Sequence, residues 1–305
     1  MALIRNVRVN LSAVERRVAQ LPGRRTVKRD FQVAWLLKGL RCLDLTTLSG
    51  DDTPNRVRRL CAKAKRPVRL DILERLGVSD MPWSVAAVCV YSRFVPLAVE
   101  ELAGSGISVA SVATGFPAGL IPHDLKLREI DAAVSYGASE IDVVITREHV
   151  LAGDWLELYR EVREFKEACQ GAQMKVILAT GDLKTLRSIA RAATVCLAAG
   201  ADFIKTSTGK EIENATLPVA LVILRAIRDH QHRTGRMVGY KPAGGMSTTR
   251  QMLLQQFLVN EELGSRWLEP DLFRVGASSL IADINRQLEH QATGRYSAFH
   301  RHAVA

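Results

Sequence analysis

The sequence predicts an α/β protein built as a (β/α)8 TIM barrel with an N-terminal helical extension. Eight apolar runs rich in β-branched residues recur along the chain, and amphipathic segments separate them. Parallel strands that are buried on both faces have this continuous apolar character, and eight strand-helix units close a barrel. The 305 residues exceed the roughly 250 that such a barrel needs.

Each of the eight runs ends at Thr, Ser or Gly or directly before one of them. The predicted strands are Arg41 to Leu48, Ser84 to Tyr91, Ile107 to Gly115, Glu140 to Ile145, Met174 to Thr180, Asp202 to Thr208, Val238 to Gly244 and Leu272 to Ser279. A doubly wound open sheet is the alternative architecture. It usually carries a Gly-x-Gly-x-x-Gly turn after its first strand, and this chain has none there.

Three regions are predicted around this pattern. Residues 1–38 form a helical extension, with apolar residues at helical spacing from Leu11 to Val18 and again near Trp35. We expect these helices to cover the bottom of the barrel or an oligomer face. Residues 39–290 form the barrel, and residues 291–305 form a C-terminal tail.

The segments between the runs have the signals of amphipathic helices. Thr53 and Pro54 supply a capping residue and a helix-starting proline, and Val57, Leu60, Cys61 and Ala64 follow at helical spacing. The segments from 155 to 165 and from 183 to 193 repeat this spacing after the fourth and fifth runs. We interpret all three as outer helices of the barrel.

The composition is that of a globular enzyme, with 47% apolar and 24% charged residues. A formal charge of +10 comes from 42 Lys and Arg against 32 Asp and Glu. Its clusters, between Arg16 and Arg29 and between Arg56 and Arg66, have no interleaved aromatic residues for base stacking, so nucleic-acid binding is not favoured.

Several features favour a cytoplasmic protein. The five cysteines are odd in number and form no Cys-x-x-Cys pair, which indicates reduced core thiols. Residues 1–10 lack the apolar core of a secretory signal, and no run approaches the roughly 20 apolar residues of a membrane span. No membrane partner is expected, and a homodimer is the oligomer we keep in view.

Two lysines lie toward the carboxyl ends of neighbouring predicted strands, where barrel enzymes carry their active sites. Lys205 is in the sixth run and Lys241 in the seventh. Two ammonium groups so close destabilise each other, so one lysine is expected to titrate nearer neutrality and act as a nucleophile. Either lysine alone is better interpreted as a surface cation or a salt-bridge partner.

Two acids and a cysteine lie inside apolar runs. Asp142 lies in the fourth run and needs a buried cation, which one of the two lysines can supply; it can then shuttle protons. Asp44 in the first run is as readily a structural acceptor as a catalytic group. Cys89 is better interpreted as a small core residue than as a nucleophile, because no histidine accompanies it.

Glycine-bearing turns follow the last three runs. They are Gly209-Lys210, Gly244-Gly245 and Gly276-Ala277-Ser278-Ser279. Barrels commonly bind phosphate after their last strands, through backbone N–H groups and a helix N-terminus. The seven histidines do not cluster at strand ends, so neither a metal nor another cofactor is expected.

The motifs together resemble the class I, Schiff-base deoxyribose-phosphate aldolases, from about Arg41 to Leu280. They are Leu43-Asp44-Leu45-Thr46-Thr47-Leu48, Ala87-Val88-Cys89-Val90-Tyr91, Gly115-Phe116-Pro117-Ala118-Gly119, Glu140-Ile141-Asp142-Val143-Val144, Phe203 to Lys210, Lys241 to Gly245 and Gly276-Ala277-Ser278-Ser279. The resemblance implies reversible cleavage of 2-deoxy-D-ribose 5-phosphate to glyceraldehyde 3-phosphate and acetaldehyde, in deoxynucleoside catabolism.

The resemblance also implies a role for each site residue. Lys205 forms the imine, Lys241 lowers the pKa of Lys205, and Asp142 relays protons. The substrate-binding set comprises Asp44, Cys89, Thr206, Gly209, Lys210, Gly244, Gly245, Gly276, Ser278 and Ser279, with the last turns holding the phosphate.

Two positions depart from the family pattern. Thr146 stands where asparagine is usual, and Ser247 stands where an arginine is common. We expect the second change to raise the KM, and Arg250, one helical turn further on, is a candidate replacement. An aldolase for a related phosphosugar and a non-catalytic barrel that binds a partner are the alternative functions.

Overall fold

Eight short parallel strands form the centre of the protein in the computed structural model, which describes residues 2–298 and 301–302. The strands are β1 (Leu43–Thr46), β2 (Ala87–Tyr91), β3 (Ser108–Ala113), β4 (Glu140–Val144), β5 (Gln173–Ile177), β6 (Phe203–Lys205), β7 (Gly239–Lys241) and β8 (Val275–Ala277). They pair in the order β7-β6-β5-β4-β3-β2-β1-β8. The predicted eight-stranded architecture is confirmed.

The first and last strands of that order meet and close the barrel. The carbonyl of Tyr240 on β7 accepts the N–H of Arg274 at 3.1 Å, and the N–H of Tyr240 donates to the carbonyl of Leu272 at 2.9 Å. Further along, the N–H of Gly276 donates to the carbonyl of Pro242 at 2.9 Å. The barrel therefore has no open edge between β7 and β8.

The strands are shorter than the apolar runs that predicted them. The run from 238 to 244 yields only the three residues of β7, because Pro242 has no N–H to donate to a neighbouring strand. The run from 202 to 208 likewise yields three residues of β6. Lys205 and Lys241 are thus the last residues of their strands and lie opposite each other in the register.

Helices separate the strands and cover the barrel. They are α1 (Ala2–Arg5), α2 (Leu11–Arg24), α3 (Arg29–Arg41), α4 (Pro54–Lys65), α5 (Leu70–Arg75), α6 (Val95–Glu101), α7 (His123–Ser135), α8 (Arg147–Ala152), α9 (Trp155–Ala168), α10 (Leu186–Ala198), α11 (Leu217–Thr234), α12 (Thr249–Leu263) and α13 (Leu280–Thr293). Within the described residues, no helix combines the length and the apolar character that a bilayer crossing requires.

The predicted start of α4 is present in the structure. The Thr53 hydroxyl accepts the N–H of Arg56, and Pro54 is the first helical residue. Three of the four apolar residues at helical spacing, Val57, Cys61 and Ala64, are fully buried. The helix therefore forms where the cap and the apolar stripe coincide.

The N-terminal helices pack on the outer helices of the last three units. α2 contacts α11 and α12, and α3 contacts α12 and α13. Glu261 near the end of α12 pairs with Arg17 at 2.8 Å, Arg24 at 2.7 Å and Arg25 at 2.6 Å. These three basic residues of the N-terminal cluster therefore form ion pairs within the protein.

Both predicted region boundaries fall inside helices. The extension ends in the structure with α3 at Arg41, and α13 continues to Thr293 before the tail starts. The tail folds back on α13, where Glu289 pairs with Arg301 at 3.0 Å and His302 at 2.9 Å. Phe299, His300 and residues 303–305 lie outside the described residues.

Substitution of Gly239 tests the packing inside the barrel. An added Cβ would lie 2.4 Å from the ring of the fully buried Phe203. We expect Gly239→Ala to lower the free energy of unfolding by about 1–3 kcal/mol, which is typical of overpacking. Urea unfolding measures this change.

Gly23→Ala is the matched control, because nothing lies within 4 Å of its Cβ position in α2. Alanine is favoured over glycine in a helix by about 0.5–1 kcal/mol, so this variant should be as stable as the parent or more stable. Equal unfolding midpoints for the two variants would contradict the packing described here.

Candidate active site

The carboxylate of Asp142 lies at the centre of a cluster of buried charges inside the barrel. Its Oδ2 accepts from Nζ of Lys205 at 2.7 Å and from Nζ of Lys241 at 2.8 Å. Its Oδ1 accepts from Nζ of Lys175 at 3.0 Å. One carboxylate is therefore shared by three lysines on β5, β6 and β7.

Two further carboxylates complete the cluster. Asp44 on β1 accepts from Lys241, and its Oδ2 lies 4.0 Å from Nζ of Lys175. Glu140 on β4 pairs with Lys175 at 2.5 Å and with both terminal nitrogens of Arg274, at 2.7 and 3.0 Å. Buried charges are stable only when paired in this way.

The strand geometry explains why these side chains meet. Glu140 and Asp142 are two residues apart on β4, so both point into the barrel. Asp142 lies opposite Lys175 on β5, and Lys205 lies opposite Lys241. Because the parallel strands pair in this register, the three lysines lie at the same height in the barrel and reach one carboxylate.

The charges fix the ionisation of the acids. Burial raises the pKa of Asp142, but Lys175, Lys205 and Lys241 outweigh it and hold this pKa well below its ordinary value. Burial likewise raises the pKa of Glu140, yet Lys175 and Arg274 bring it down to about 2. Both acids are carboxylates near neutral pH.

The charges also favour the ammonium forms of two lysines. Burial lowers the pKa of Lys241, but Asp142 and Asp44 outweigh this and raise it above its ordinary value. Burial lowers the pKa of Lys175 too, and Asp142 and Glu140 raise it overall. Lys241 and Lys175 are thus the retained cations of the cluster.

A cavity of about 340 Å³ opens above the cluster at the carboxyl ends of the strands. Lys205 is the one residue of the charged cluster that lines it. The other lining residues come from the ends of β1 and β8 and from the loops after β1, β6, β7 and β8, and include Thr208, Gly209, Lys210, Gly244, Gly245, Ser247, Gly276, Ser278 and Ser279.

Glycines and hydroxyl groups make up much of the cavity lining. Gly244 and Gly245 have positive φ, of 84° and 69°, which glycine adopts without strain. Ser278 and Ser279 lie directly before α13, whose N-terminus is favourable for an anion. Lys210 is the cation, besides Lys205, among the residues that line this cavity.

The turn at Gly209 already holds an anion from the chain itself. The N–H groups of Thr208 and Gly209 donate to the carboxylate of Glu211, each at 3.1 Å. Arg147 lies 3.8 Å from the same carboxylate and also donates to the carbonyl of Ala118. These contacts fix the loop after β6 beside Lys205.

An apolar surface faces the charged cluster within the barrel. Cys89, Ala110, Val112, Phe116, Val144 and Ile177 form a small buried cluster of their own. The Phe116 ring centroid lies 6.0 Å from Nζ of Lys205. A small apolar group attached to Lys205 would therefore find a water-poor surface next to it.

A model of the DeoC/LacD family aldolases matches residues 40–267. This chain belongs to that family. As an aldolase it is a carbon-carbon lyase.

Named relatives cover nearly the whole aldolase chain. The chain is 55% identical over 302 residues to the deoxyribose-phosphate aldolase of Mus musculus, covering 98% of this chain and 95% of the relative. The deoxyribose-phosphate aldolase of Homo sapiens is 53% identical over the same shares.

A solved structure shows the same fold. The apo-form of a putative deoxyribose-phosphate aldolase from Toxoplasma gondii superposes with a TM-score of 0.73. The two sequences are 26% identical, over 85% of this chain and 98% of the other.

The structure brings most of the predicted site residues of the aldolase together. Lys205, Lys241, Asp142 and Asp44 form the charged cluster, and the glycine turns and Lys210 line the cavity above it. Thr206 faces elsewhere: its hydroxyl donates to the carbonyl of Ala243 at 3.2 Å and accepts the N–H of that residue at 3.1 Å. It links β6 to the end of β7.

Cys89 and Asp44 lie deeper than the cavity lining. Burial raises the pKa of the Cys89 thiol to about 12, so the thiol is neutral and belongs to the apolar surface. Asp44 binds Lys241 through Oδ2, while its Oδ1 has no hydrogen-bond partner among the described residues. One acceptor of Asp44 is thus still available.

The two departures from the family pattern have different surroundings. The hydroxyl of Thr146 and the ammonium of Lys126 both bond Glu161, at 2.5 and 2.9 Å, outside the cavity. Ser247 does line the cavity. Arg250 lines a different cavity, beside Pro22 and Arg25, so it does not replace an arginine at position 247.

Sequence reasoning missed Lys175, Glu140, Arg274 and Glu211. The first three carry the same signal that identified Asp142, a charged residue inside an apolar strand. Their partners lie on other strands, which the sequence does not pair. Glu211 directly follows the turn that was expected to hold the phosphate, and an acid beside such a turn is a usable signal.

The pKa of Glu140 predicts part of the acid sensitivity of the fold. Its folded value is about 2 against an ordinary value of 4.5, so the unfolded chain binds more protons between these values. The stability from Glu140 is therefore present above pH 4.5 and lost as the pH falls toward 2. From pH 5.5 to pH 3 the loss amounts to about 2 kcal/mol.

Glu140→Gln removes this titration. Unfolding by urea at both pH values should show a smaller drop in the free energy of unfolding for the variant than for the parent, whatever their absolute stabilities. An identical drop in the two proteins would show that Glu140 does not titrate as its contacts require.

Proposed function

We propose that this aldolase cleaves 2-deoxy-D-ribose 5-phosphate reversibly to D-glyceraldehyde 3-phosphate and acetaldehyde, through an imine on Lys205. The carrying observation is that Lys205 alone among the clustered lysines lines the cavity, while glycines, serines and Lys210 line the rest of it. Relatives of that name at 53–55% identity support the choice of substrate.

The attacking amine must be uncharged, and the cluster supplies a reason for that. If every group were ionised, Lys175, Lys205, Lys241 and Arg274 would face three carboxylates, Asp44, Glu140 and Asp142. Loss of one proton balances the charges. Lys205 is the clustered lysine with a single carboxylate partner, and it is the one that reaches the cavity.

Nζ of Lys205 then adds to the C1 carbonyl of the open-chain sugar, and loss of water with uptake of one proton, from Lys241 or from solvent, gives the protonated imine. The bond between C2 and C3 breaks as the C3 hydroxyl loses its proton, and its electron pair moves to the imine to form an enamine. Glyceraldehyde 3-phosphate leaves. Protonation of the enamine carbon and hydrolysis release acetaldehyde and restore the amine.

Asp142 is suited to the proton transfers because its basicity follows the charge on Lys205. Lys205 is one of three cations that hold the pKa of Asp142 down. Each step that removes the positive charge from that nitrogen makes the carboxylate more basic. Asp142 therefore accepts a proton as the enamine forms, directly or through water, with Lys241 beside it as donor.

The substrate lies with its aldehyde end toward Lys205 and its phosphate among the last loops. Gly244, Gly245, Gly276, Ser278 and Ser279 hold the phosphate, and Lys210 supplies the positive charge. Ser247 offers no cation there, so phosphate binding relies more on Lys210. Asp44 and Cys89 border the sugar from below, as acceptor and apolar neighbour.

We further propose that the protein acts in the cytoplasm, in deoxynucleoside catabolism, and that it forms a homodimer. All five cysteines are free and buried, which supports a reducing compartment.

Borohydride reduction tests the imine. With acetaldehyde and borohydride, the protein should gain a stable ethyl group on Lys205, because reduction converts the imine to a secondary amine. Peptide mass spectrometry locates the label. Lys205→Met should lose the label and all turnover, whereas Lys65→Met, at the end of α4, should retain both. A folded parent protein without label would contradict the proposed function.

Lys210→Met tests the phosphate end separately. Loss of one charge-assisted contact, worth at least about 1.4 kcal/mol, should raise the KM for 2-deoxy-D-ribose 5-phosphate about tenfold. Labelling by acetaldehyde, which carries no phosphate, should stay at the parent level. Steady-state kinetics measure the KM, and borohydride labelling measures imine formation, with Lys65→Met as the control for both. An unchanged KM would exclude Lys210 from phosphate binding.

A further inference from the structure

One buried ion pair forms the lower end of the charged cluster. Arg274, directly before β8, binds Glu140 on β4 through two hydrogen bonds, at 2.7 and 3.0 Å across the barrel interior. Both side chains are nearly inaccessible to solvent, at 5% and 4% relative exposure. In the reaction proposed above, these two residues enter only the charge balance of the cluster, and neither reacts with the substrate.

We propose that Glu140 and Arg274 are positioning residues for the proton transfers: they hold Lys175 against Oδ1 of Asp142 and so keep Oδ2 directed at Lys205 and Lys241. This inference rests on the proposed function. It gives the ion pair of Glu140 and Arg274, the lower pair, a role in the chemistry in addition to its support of the barrel.

The contacts form a continuous line from the base of the barrel to the reacting amine. Nε of Arg274 donates to the carbonyl of Pro270, which anchors the guanidinium at the bottom. Glu140 then bonds Lys175 at 2.5 Å, and Lys175 bonds Asp142 at 3.0 Å. Asp142 ends the line at Lys205.

The chemistry of each link suits this role. Arginine stays charged in proteins and binds a carboxylate in a fixed bidentate geometry, so it holds Glu140 both ionised and oriented. Among the described residues, Lys175 is the cation besides Arg274 that pairs with Glu140. A rotation of Asp142 that turned Oδ2 away from Lys205 would break its bond to Lys175, and Glu140 prevents Lys175 from following.

The charge of Lys175 depends on groups from several elements. It faces Glu140 and Asp142 on β4, Asp44 on β1 and the like charge of Lys241 on β7. The thiol of Cys169, after α9, is also near, and burial raises its pKa to about 12. Glu140 is the partner of Lys175 that does not also bond another lysine, so its loss weakens the ammonium form most directly.

The pair also forms part of the floor that separates the cluster from the opposite end of the barrel. A cavity of about 450 Å³ opens there, lined by Glu140, Arg274, Gln173 and neighbouring residues. The active-site cavity is at the other end. Substrate therefore does not touch Glu140 or Arg274, and any effect of these residues on rate passes through Lys175 and Asp142.

The test separates imine formation from proton transfer. Borohydride labelling with acetaldehyde reports the imine on Lys205. Exchange of the methyl hydrogens of acetaldehyde for deuterium in D₂O, followed by NMR, reports the proton transfers that interconvert imine and enamine. Glu140→Gln should retain the label but slow the exchange at least tenfold, with the KM for the sugar phosphate changed less than twofold.

The pH profile supplies a readout that a purely structural role would not move. Without Glu140, Lys175 loses its proton at lower pH, so the alkaline decline of exchange should begin at lower pH than in the parent. Arg274→Lys keeps the charge and should restore part of the rate that Arg274→Met loses. Glu289→Gln is the control, because Glu289 is also buried and paired, but in α13 with His302.

The double variant Glu140→Gln with Arg274→Met leaves no unpaired charge in the lower pair and covers the case in which a single variant does not fold. It should show the same slow exchange. Parent-like exchange and an unmoved pH profile in a folded, labelled variant would overturn this inference alone. Absence of the label in the parent would overturn the proposed function as well.

Discussion

The structure depends on one carboxylate that three lysines share. Asp142 accepts from Lys175 at one oxygen and from Lys205 and Lys241 at the other, at distances of 2.7 to 3.0 Å. Each of these groups is expensive to bury alone, and together they are stable. The register of the strands brings Asp142, Lys175, Lys205 and Lys241 to one point inside the barrel.

This arrangement creates reactivity by unequal pairing. Lys175 and Lys241 have two close carboxylates each and stay charged, whereas Lys205 has one and faces the cavity. The cluster holds one more cation than carboxylates, and the geometry determines which lysine reaches the cavity. The same carboxylate then responds to every change of charge on the reacting nitrogen. In the proposed function, phosphate bound at the last loops places the aldehyde next to Lys205.

The sequence predicted the barrel and the central residues because both leave local signals. Continuous apolar runs identify buried strands, and Lys205, Lys241 and Asp142 stand out as charges at the ends or in the middle of them. The predicted strands were too long. Pro242 and the turns that follow the strands end the hydrogen bonding between strands, and the apolar pattern of the sequence does not show where it ends. Lys175, Glu140 and Arg274 were missed because their partners come from distant strands, and pairing across a barrel is set by register.

A crystal structure of the borohydride-reduced acetaldehyde adduct would show whether Asp142 and its three lysines work as described. We expect an ethyl group on Nζ of Lys205 that lies against the apolar surface containing Val112, Val144 and Ile177. We also expect Asp142 still to bond Lys175 and Lys241 through its two oxygens. An adduct on another lysine of the cluster, or an Asp142 carboxylate turned away from Lys205 and Lys241, would contradict the role proposed for this carboxylate.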